Sequence, residues 1–556
     1  MSSDKNELVF CPLGGSGEIG MNMNLYGYGP EDNKQWIMID MGVGFVDESS
    51  PGIDLMVADP DFIVQRKKNL LGILLTHAHE DHIGAIAHLW PFLECPIYAT
   101  PFAVILIKEK LREKRIQIGD KLRTIQLNGN VKLGPFNVNY VTLTHSILEP
   151  NALCIKTPAG TLLHTGDWKC DKDPLIGKPM DEIKLKEIGK QGVLAMICDS
   201  TNIFSEGRSG SEKDVRDSMM TTMENIKNRI VVTTFASNAA RMETVFKCAE
   251  KAGRHLSLVG RSMHRIFNTA RECGYLQNVK SPIDPRDAKK IPRNKIVYLA
   301  TGSQGEPMGA MNRIVNEEHP DVFLDKDDTV IFSSRIIPGN EKKLFKIHNL
   351  LVKRKINVIS EDNAFIHVSG HPGRDEMKDM YSWVKPLISI PVHGEHRHLK
   401  EHQDFAKLQG VKHPTLVENG DIIRIFPGEP KVVDKVHSGK LFVDGNRLID
   451  EDSSFLKDRK NISNNGLMDV TLLISNKGQL DRNPIIKLRG LPLNDEEFDE
   501  ILYDLEEEIV NTANSYSLNN KKDEKNLIDG LKSNLKKIIY RATKKRPYTN
   551  IILIRL

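Results

Sequence analysis

A chain of 556 residues is too long for one ordinary core, and at roughly 100–200 residues per domain it should hold about three domains. With 40% hydrophobic and 27% charged residues it has a soluble globular composition, and a formal net charge of +3 is too small to announce a nucleic-acid partner. The seven cysteines are odd in number, widely spaced and without a CxxC pair, which argues against a disulfide framework or a thiolate zinc site.

The N-terminal MSSDKNELVF has no basic region followed by an apolar one, and no run of about 18 apolar residues occurs, so neither a leader nor a membrane span is expected. A cytoplasmic location is the expectation. Short apolar runs then alternate with turns: ELVFCPL, QWIMID, LLGILLT, CPIYAT, FNVNYVTLT, ALCIKTP, TLLHTGD and VLAMICDS. These are strand-length and rich in β-formers, with helical candidates in IGAIAHLWPFL and AVILIKEKLREK between them. The mixture predicts an α/β protein with covered sheets over residues 1–207.

From about Ser211 the rhythm becomes helix–strand alternation of the doubly wound kind, running through 208–360 to IFSSR and NVIS. SPIDPRDAKKIPRNK within it reads as a surface loop. Residues 361–435 bring histidine-bearing strand ends and a short strand-rich stretch ending in IIRIFPGEPKVV. The polar segment 436–462 suits a linker or small hairpin region. Residues 463–556 read as a separate α+β module: strand MDVTLLISN, an acidic helix, a basic helix and the closing strand TNIILIRL. A βααβ unit this small is expected to pair with another copy, giving a homodimer or homotetramer.

Gly15-x-Gly17-x-x-Gly20, with Asp40 further on, imitates a dinucleotide fingerprint. That motif needs a helix to open at its third glycine, and MNMNLYGYGPEDNKQW cannot supply one. A glycine-rich turn between two strands is expected instead.

The informative stretch is LLGILLTHAHEDHIGAIAHLW. A buried strand ends at Thr76 and a helix begins near Ile83, with His77, His79, Asp81 and His82 packed between them. Imidazole and carboxylate together suit zinc or manganese, and the alternation of an extended turn divides the ligands into two groups, which suggests two ions. Two ions need further ligands, and other strand ends supply His145, Asp167 and His393, while Asp40 is placed to orient the site from behind.

These motifs resemble the metallo-β-lactamase superfamily, which implies a four-layer αββα fold. By that resemblance His77, His79 and His145 hold one ion, Asp81, His82 and His393 hold the other, and Asp167 bridges them. GGSGEIGMN, THAHEDHIGA, TGSQGEP, HVSGH and PVHGE extend the resemblance over almost the whole chain to the β-CASP nucleases, most closely the ribonuclease J family. The implied architecture is a metallo-β-lactamase domain (1–207 and 361–435) with an inserted β-CASP α/β domain (208–360) and a small C-terminal α+β domain.

The resemblance implies a ribonuclease with two zinc ions per subunit, or manganese or magnesium, that attacks phosphodiesters with metal-bound hydroxide and leaves 5′-phosphate ends. Asp199 and His371 are implied as acid/base groups, with Asp81 also at the catalytic centre. His367, Val368, Ser369, Gly370 and His371 are implied to hold RNA, as more weakly are Ser237, Asn238 and Arg241. Arg241 also reads as a helix-surface arginine. Family behaviour implies 5′→3′ exonuclease and endonuclease action on single-stranded RNA with a 5′-monophosphate, in RNA maturation and decay, and possible membership of an RNA-degrading assembly. Alternatives are a catalytically weak RNA-binding subunit, or a DNA nuclease of the same fold, against which His393 speaks because several DNA-processing relatives carry Val there. A small-molecule hydrolase would leave HVSGH and the insertion of about 150 residues unexplained.

Overall fold

The computed structural model describes residues 6–46, 50–516 and 521–556. They divide into two compact units, one of residues up to 44 together with 57–439, the other drawn from 45–56 and 440–556.

In the first unit two sheets face each other. One runs in the order Lys431–Lys435, Asp421–Phe426, Glu7–Gly14, Met23–Gly29, Gln35–Ile39, Leu70–Leu74, Ile97–Ala99 and Leu122–Thr124. The other runs Asn130–Leu133, Phe136–Thr142, Asn151–Thr157, Gly160–His164, Ala195–Asp199, Ile388–Val392 and His413–Pro414. Side chains alternate across each strand, and the cores follow that period. Ala195 and Ile197 join Phe10, Ile39 and Leu74 between the sheets. Met196 and Cys198 turn outward against Leu185, Met377 and Phe405 of three covering helices. Helices Ile86–Leu93 and Pro101–Glu113 bury Leu89, Trp90, Phe102 and Ile107. The fold is the expected metallo-β-lactamase arrangement, and each fully buried Ile or Leu contributes about 1.5–3 kcal/mol to it.

The chain leaves this sandwich after Asp199 and returns before Arg374. Between lies a parallel sheet ordered His255–Val259, Ile296–Ala300, Ile230–Thr233, Thr329–Phe332 and Asn357–Ile359. Its strands are near-continuous apolar runs, as expected where helices cover both faces, and Val231, Tyr298, Val330 and Leu344 share one core. SPIDPRDAKKIPRNK is not wholly loop: Pro285–Ala288 is helical, capped by Asp284, and Ala288 enters that core.

Of residues 436–462, expected as a linker or small hairpin region, those from 440 on lie in the second unit and hold the hairpin Lys440–Asp444 and Arg447–Asp450 and most of the helix Ser454–Asn465. Ser453 caps that helix through its hydroxyl. The sheet beyond has a strand that the βααβ reading lacked. Ile485–Arg489 pairs antiparallel to Leu467–Ile474, whose other side pairs parallel to Tyr548–Arg555. Its IIKLR is short and mostly exposed, so its apolar period is weak. Helices Asp495–Asn514 and Lys521–Thr543 pack Leu505, Ile509, Leu531 and Leu535 onto Val470 and Leu472.

Candidate metal centre

The centre lies where several strands of the sandwich end. Strand Leu70–Leu74 runs into a turn that carries His77 and His79, and His79 begins a short helix, Glu80–Ile83. The helix thus starts earlier than expected and holds Asp81 and His82 in its first turn. A backbone crossing makes this packing possible: a side chain on Gly42 would put its Cβ 1.6 Å from the Asp81 carbonyl oxygen. Two residues pay for the geometry with left-handed backbone, Asp40 at φ 62° and His393 at φ 54°. Such strain at non-glycine positions persists only where the surroundings enforce it. Asp40 accepts hydrogen bonds from the Thr76 N–H and hydroxyl, each at 2.8 Å, and its other contact is His82 Nδ1 at 2.7 Å.

All seven expected ligands converge. One ligand atom from each of His77, His79, His145 and Asp167 lies within 4.8 Å of the others, and Asp81, His82, Asp167 and His393 form a second such group. Asp167 belongs to both. Its Oδ2 stands 3.8 Å from His77, 3.7 Å from His145, 3.3 Å from His82 and 3.4 Å from His393. Its Oδ1 is buried with no hydrogen-bond partner. A buried carboxylate oxygen left so is costly, and a cation between the two groups would satisfy it.

At three of the five histidines the electrostatics favour the neutral ring. Burial, with the neighbouring histidines, holds His77 and His145 well below the usual histidine range, and burial takes His79 down to about 3. Neutral imidazoles offer the lone pairs a metal needs. Burial also opposes charge on His82 and His393, yet the Asp167 carboxylate, with Asp81, overcomes it and raises both. The donors are nitrogen and carboxylate oxygen, and these groups fit a metal ion.

A third group sits at the edge. His371 Nδ1 is 2.7 Å from Asp199 Oδ2, and His371 Nε2 is 4.0 Å from Asp167. Burial opposes charge on His371, but Asp199 lifts it to about 9. Asp199 is buried at the end of strand Ala195–Asp199 and also accepts the Thr201 N–H. Its carboxyl is held below the ordinary range because the His371 charge outweighs burial.

The RNA-holding residues implied by resemblance divide. His367, Ser369, Gly370 and His371 are partly exposed in the return loop, and Ser237 Oγ lies 3.1 Å from His79 Nε2. The side chains of Val368, Asn238 and Arg241 are instead buried and packed on protein. Val368 faces Gly210. Asn238 caps the helix Ala239–Lys251 by accepting the Arg241 N–H. Arg241 is 0% exposed, so it is not a helix-surface arginine. Its guanidinium is taken up by Glu212, Ser333 and the Ile366 carbonyl.

Sequence reasoning missed the residues that hold these loops. Asn202 donates to Ser369 Oγ at 2.7 Å and to the His371 carbonyl at 3.1 Å, although it stands in the same DSTN run as Asp199. The Asn22 side chain lies 3.0 Å from His393 Nδ1. Two histidines outside the centre have ordinary partners: His164 meets Tyr26, and His402 lies between Ser200 and Tyr381.

Comparison with known proteins follows the same division of the chain. Family models match as "Metallo-beta-lactamase superfamily" over 28–168, "Ribonuclease J, beta-CASP domain" over 227–351, "Zn-dependent metallo-hydrolase RNA specificity domain" over 355–416 and "Ribonuclease J C-terminal domain" over 454–556. Ribonuclease J of Sinorhizobium meliloti is 41% identical over 507 residues, covering 91% of this chain and 90% of that protein. The chain belongs to the ribonuclease J family. Ribonuclease J of Corynebacterium glutamicum is 34% identical across 98% of this chain and 75% of its own length, and that of Helicobacter pylori (strain J99) is 33% identical across 98% and 79%. A crystal structure of a protein of unknown function from Enterococcus faecalis covers 75% of this chain and 100% of its own, with a TM-score of 0.53 and 16% identity, a likeness of fold alone. The stretches matched as metallo-hydrolase, 28–168 and 355–416, carry the clustered histidines. Among the described residues no helix is long and apolar enough to cross a membrane.

Proposed function

We propose that this ribonuclease J family member is a two-ion phosphodiesterase that cuts single-stranded RNA, acting as a 5′→3′ exonuclease and as an endonuclease. The observation that carries this reading is the pair of ligand groups sharing Asp167, with His371 at their edge. His77, His79, His145 and Asp167 would hold one ion, and Asp81, His82, Asp167 and His393 the other, with zinc favoured and manganese or magnesium as alternatives. When bound, the ions supply Lewis-acid charge beside the phosphate and make water acidic enough to attack near neutral pH.

The chain's own residues complete the chemistry. His371, kept protonated by Asp199, stands ready to give its Nε2 proton to the departing 3′-oxygen as water adds to phosphorus, which leaves the phosphate on the 5′ side of the product. Asp199 holds the ring and stabilises its charge. Ser369 and the return loop offer hydroxyl and backbone donors to a phosphate, which supports recognition of a 5′-monophosphate. A cytoplasmic oligomer, a homodimer or homotetramer, with a part in RNA maturation and decay, is the setting this reading fits.

The test is cleavage of RNA labelled at either end, with 5′-monophosphate or 5′-triphosphate, with and without chelator. Loss of cutting on chelation, release of mononucleotides from the 5′ end and preference for the monophosphate are the expected results. His77→Ala with Asp81→Ala should bind RNA but not cut it. Cleavage that survives in this double variant, or DNA cut as fast as RNA, would overturn the proposal.

A further inference from the structure

The two ligand groups are oriented by different parts of the chain. On one side His82 Nδ1 meets Asp40, while His393 Nδ1 is approached by Asn22 at 3.0 Å and the Gly20 N–H at 3.5 Å. All of these partners belong to the lactamase sandwich.

On the other side two of three histidines reach other parts of the chain, His79 to the insertion and His145 to the return loop. The Gly370 carbonyl lies 2.5 Å from His145 Nδ1. A carbonyl only accepts, so Nδ1 carries the proton and Nε2 is left to bind metal. His79 Nδ1 lies 3.1 Å from both His77 Nε2 and His145 Nε2, which makes it the ligand atom. The far nitrogen, Nε2, is then the donor to Ser237 Oγ at 3.1 Å. Gly370 also admits no larger residue, since a Cβ there would sit 2.8 Å from the His145 ring.

One buried cation links these two partners. Arg241 donates through Nη1 to the Ile366 carbonyl at 2.9 Å, which anchors the loop that leads to Gly370. Its remaining nitrogens pair with Glu212, where the chain enters the insertion, at 2.9 Å each. Its partner Glu212 also accepts from the Asn238 side chain, next to Ser237, at 3.2 Å. Partners of this kind set ligand orientation, and their loss typically costs about 10–100-fold in metal affinity.

We infer that the inserted domain and the return loop behind it govern one half of the metal centre: Ser237 of the insertion and Gly370 of the loop orient His79 and His145, and the Arg241–Glu212 pair positions both partners. The ion held by His77, His79 and His145 is therefore bound only as tightly as the insertion and the return loop are docked, and the ion held by Asp81, His82 and His393 is not. The inference rests on the two-ion reading above.

Full-length protein stripped by chelator, then titrated with Zn²⁺ against a chromophoric chelator and counted by elemental analysis, tests it without reference to activity. Wild type should take up two ions. In a His393→Ala background, which keeps the insertion-oriented ligands, adding Ser237→Ala should weaken the remaining ion by about 10–100-fold. In a His145→Ala background the same change should leave the remaining ion's affinity where it was. Ser237→Thr should restore binding in the first background. Arg241→Met leaves Glu212 buried without its partner and can unfold the insertion, so the half-buried Ser237 is the deciding position, with a melting curve as control. Equal affinity with and without Ser237→Ala in the first background, or equal weakening in both, overturns the inference. Uptake of fewer than two ions by wild type overturns the two-ion reading instead.

Discussion

The turn at 76–82 and the loop at 366–371 meet at one centre but are built by different means. The first is local: a strand ends, nine residues later a helical turn has closed, and Asp40 and Thr76 tie it to the sheet beneath. The second has no regular structure and is held by a buried charge pair, Arg241 with Glu212, drawn from elements far away in the sequence. A turn of the first kind forms wherever its sheet forms. A loop of the second kind depends on every member of its network, because a buried charge that loses its partner is left in a medium that solvates it poorly.

That difference can be broken from either end. The largest effect should come where the two regions share chemistry, at His371. His371→Ala or Asp199→Asn should lower the rate of RNA cleavage by about 10²–10⁴-fold, the range for a lost acid/base group, with RNA affinity nearly kept. Single-turnover kinetics beside a binding titration would show it, and an unchanged rate would remove His371 from the reaction.

Next in size is the anchor of the return loop. Arg241→Met should cost about 3–5 kcal/mol of folding stability by stranding Glu212, whereas Arg241→Met with Glu212→Leu should recover much of it. Denaturant melts of the two variants decide this; equal losses would mean that the charge pair is not what matters. The loop's hydrogen bonds from Asn202 are a gentler probe. Asn202→Ala should lose about 1–3 kcal/mol, because Ser369 and the His371 carbonyl lose a donor.

The smallest effect is in pH. Burial works to raise the Glu212 carboxyl, but the Arg241 charge overcomes it, so its folded value lies below the ordinary 4.5. A group depressed on folding contributes stability that is full above its unfolded value and is lost as pH falls through the folded one. Stability should therefore fall below about pH 4.5 in wild type, and Glu212→Gln should flatten that part of the curve, while melts of the two proteins above it run parallel.

How much of this was legible in the sequence varies with distance along the chain. HAHEDH declared a metal centre because its ligands lie within one turn and no packed core leaves such groups unsatisfied. The strand ends that carry His145, Asp167 and His393 were legible too, since apolar runs mark where strands stop. The strand Ile485–Arg489 was not, because an exposed edge strand of five residues has little period to read.

Arg241 shows the limit most clearly. On a helix its neighbours are polar enough for it to pass as a surface residue or an RNA contact, and nothing nearby in the sequence names Glu212, Ser333 or Ile366 as its partners. The sequence by itself determined the ligand types and the separation of His77 and His79 from Asp81 and His82, which rest on local pattern, while the fuller grouping and the layered architecture came by resemblance. Only the tertiary structure decided which atoms of those ligands face inward. That choice is made by single acceptors such as the Gly370 carbonyl, brought 225 positions along the chain to His145.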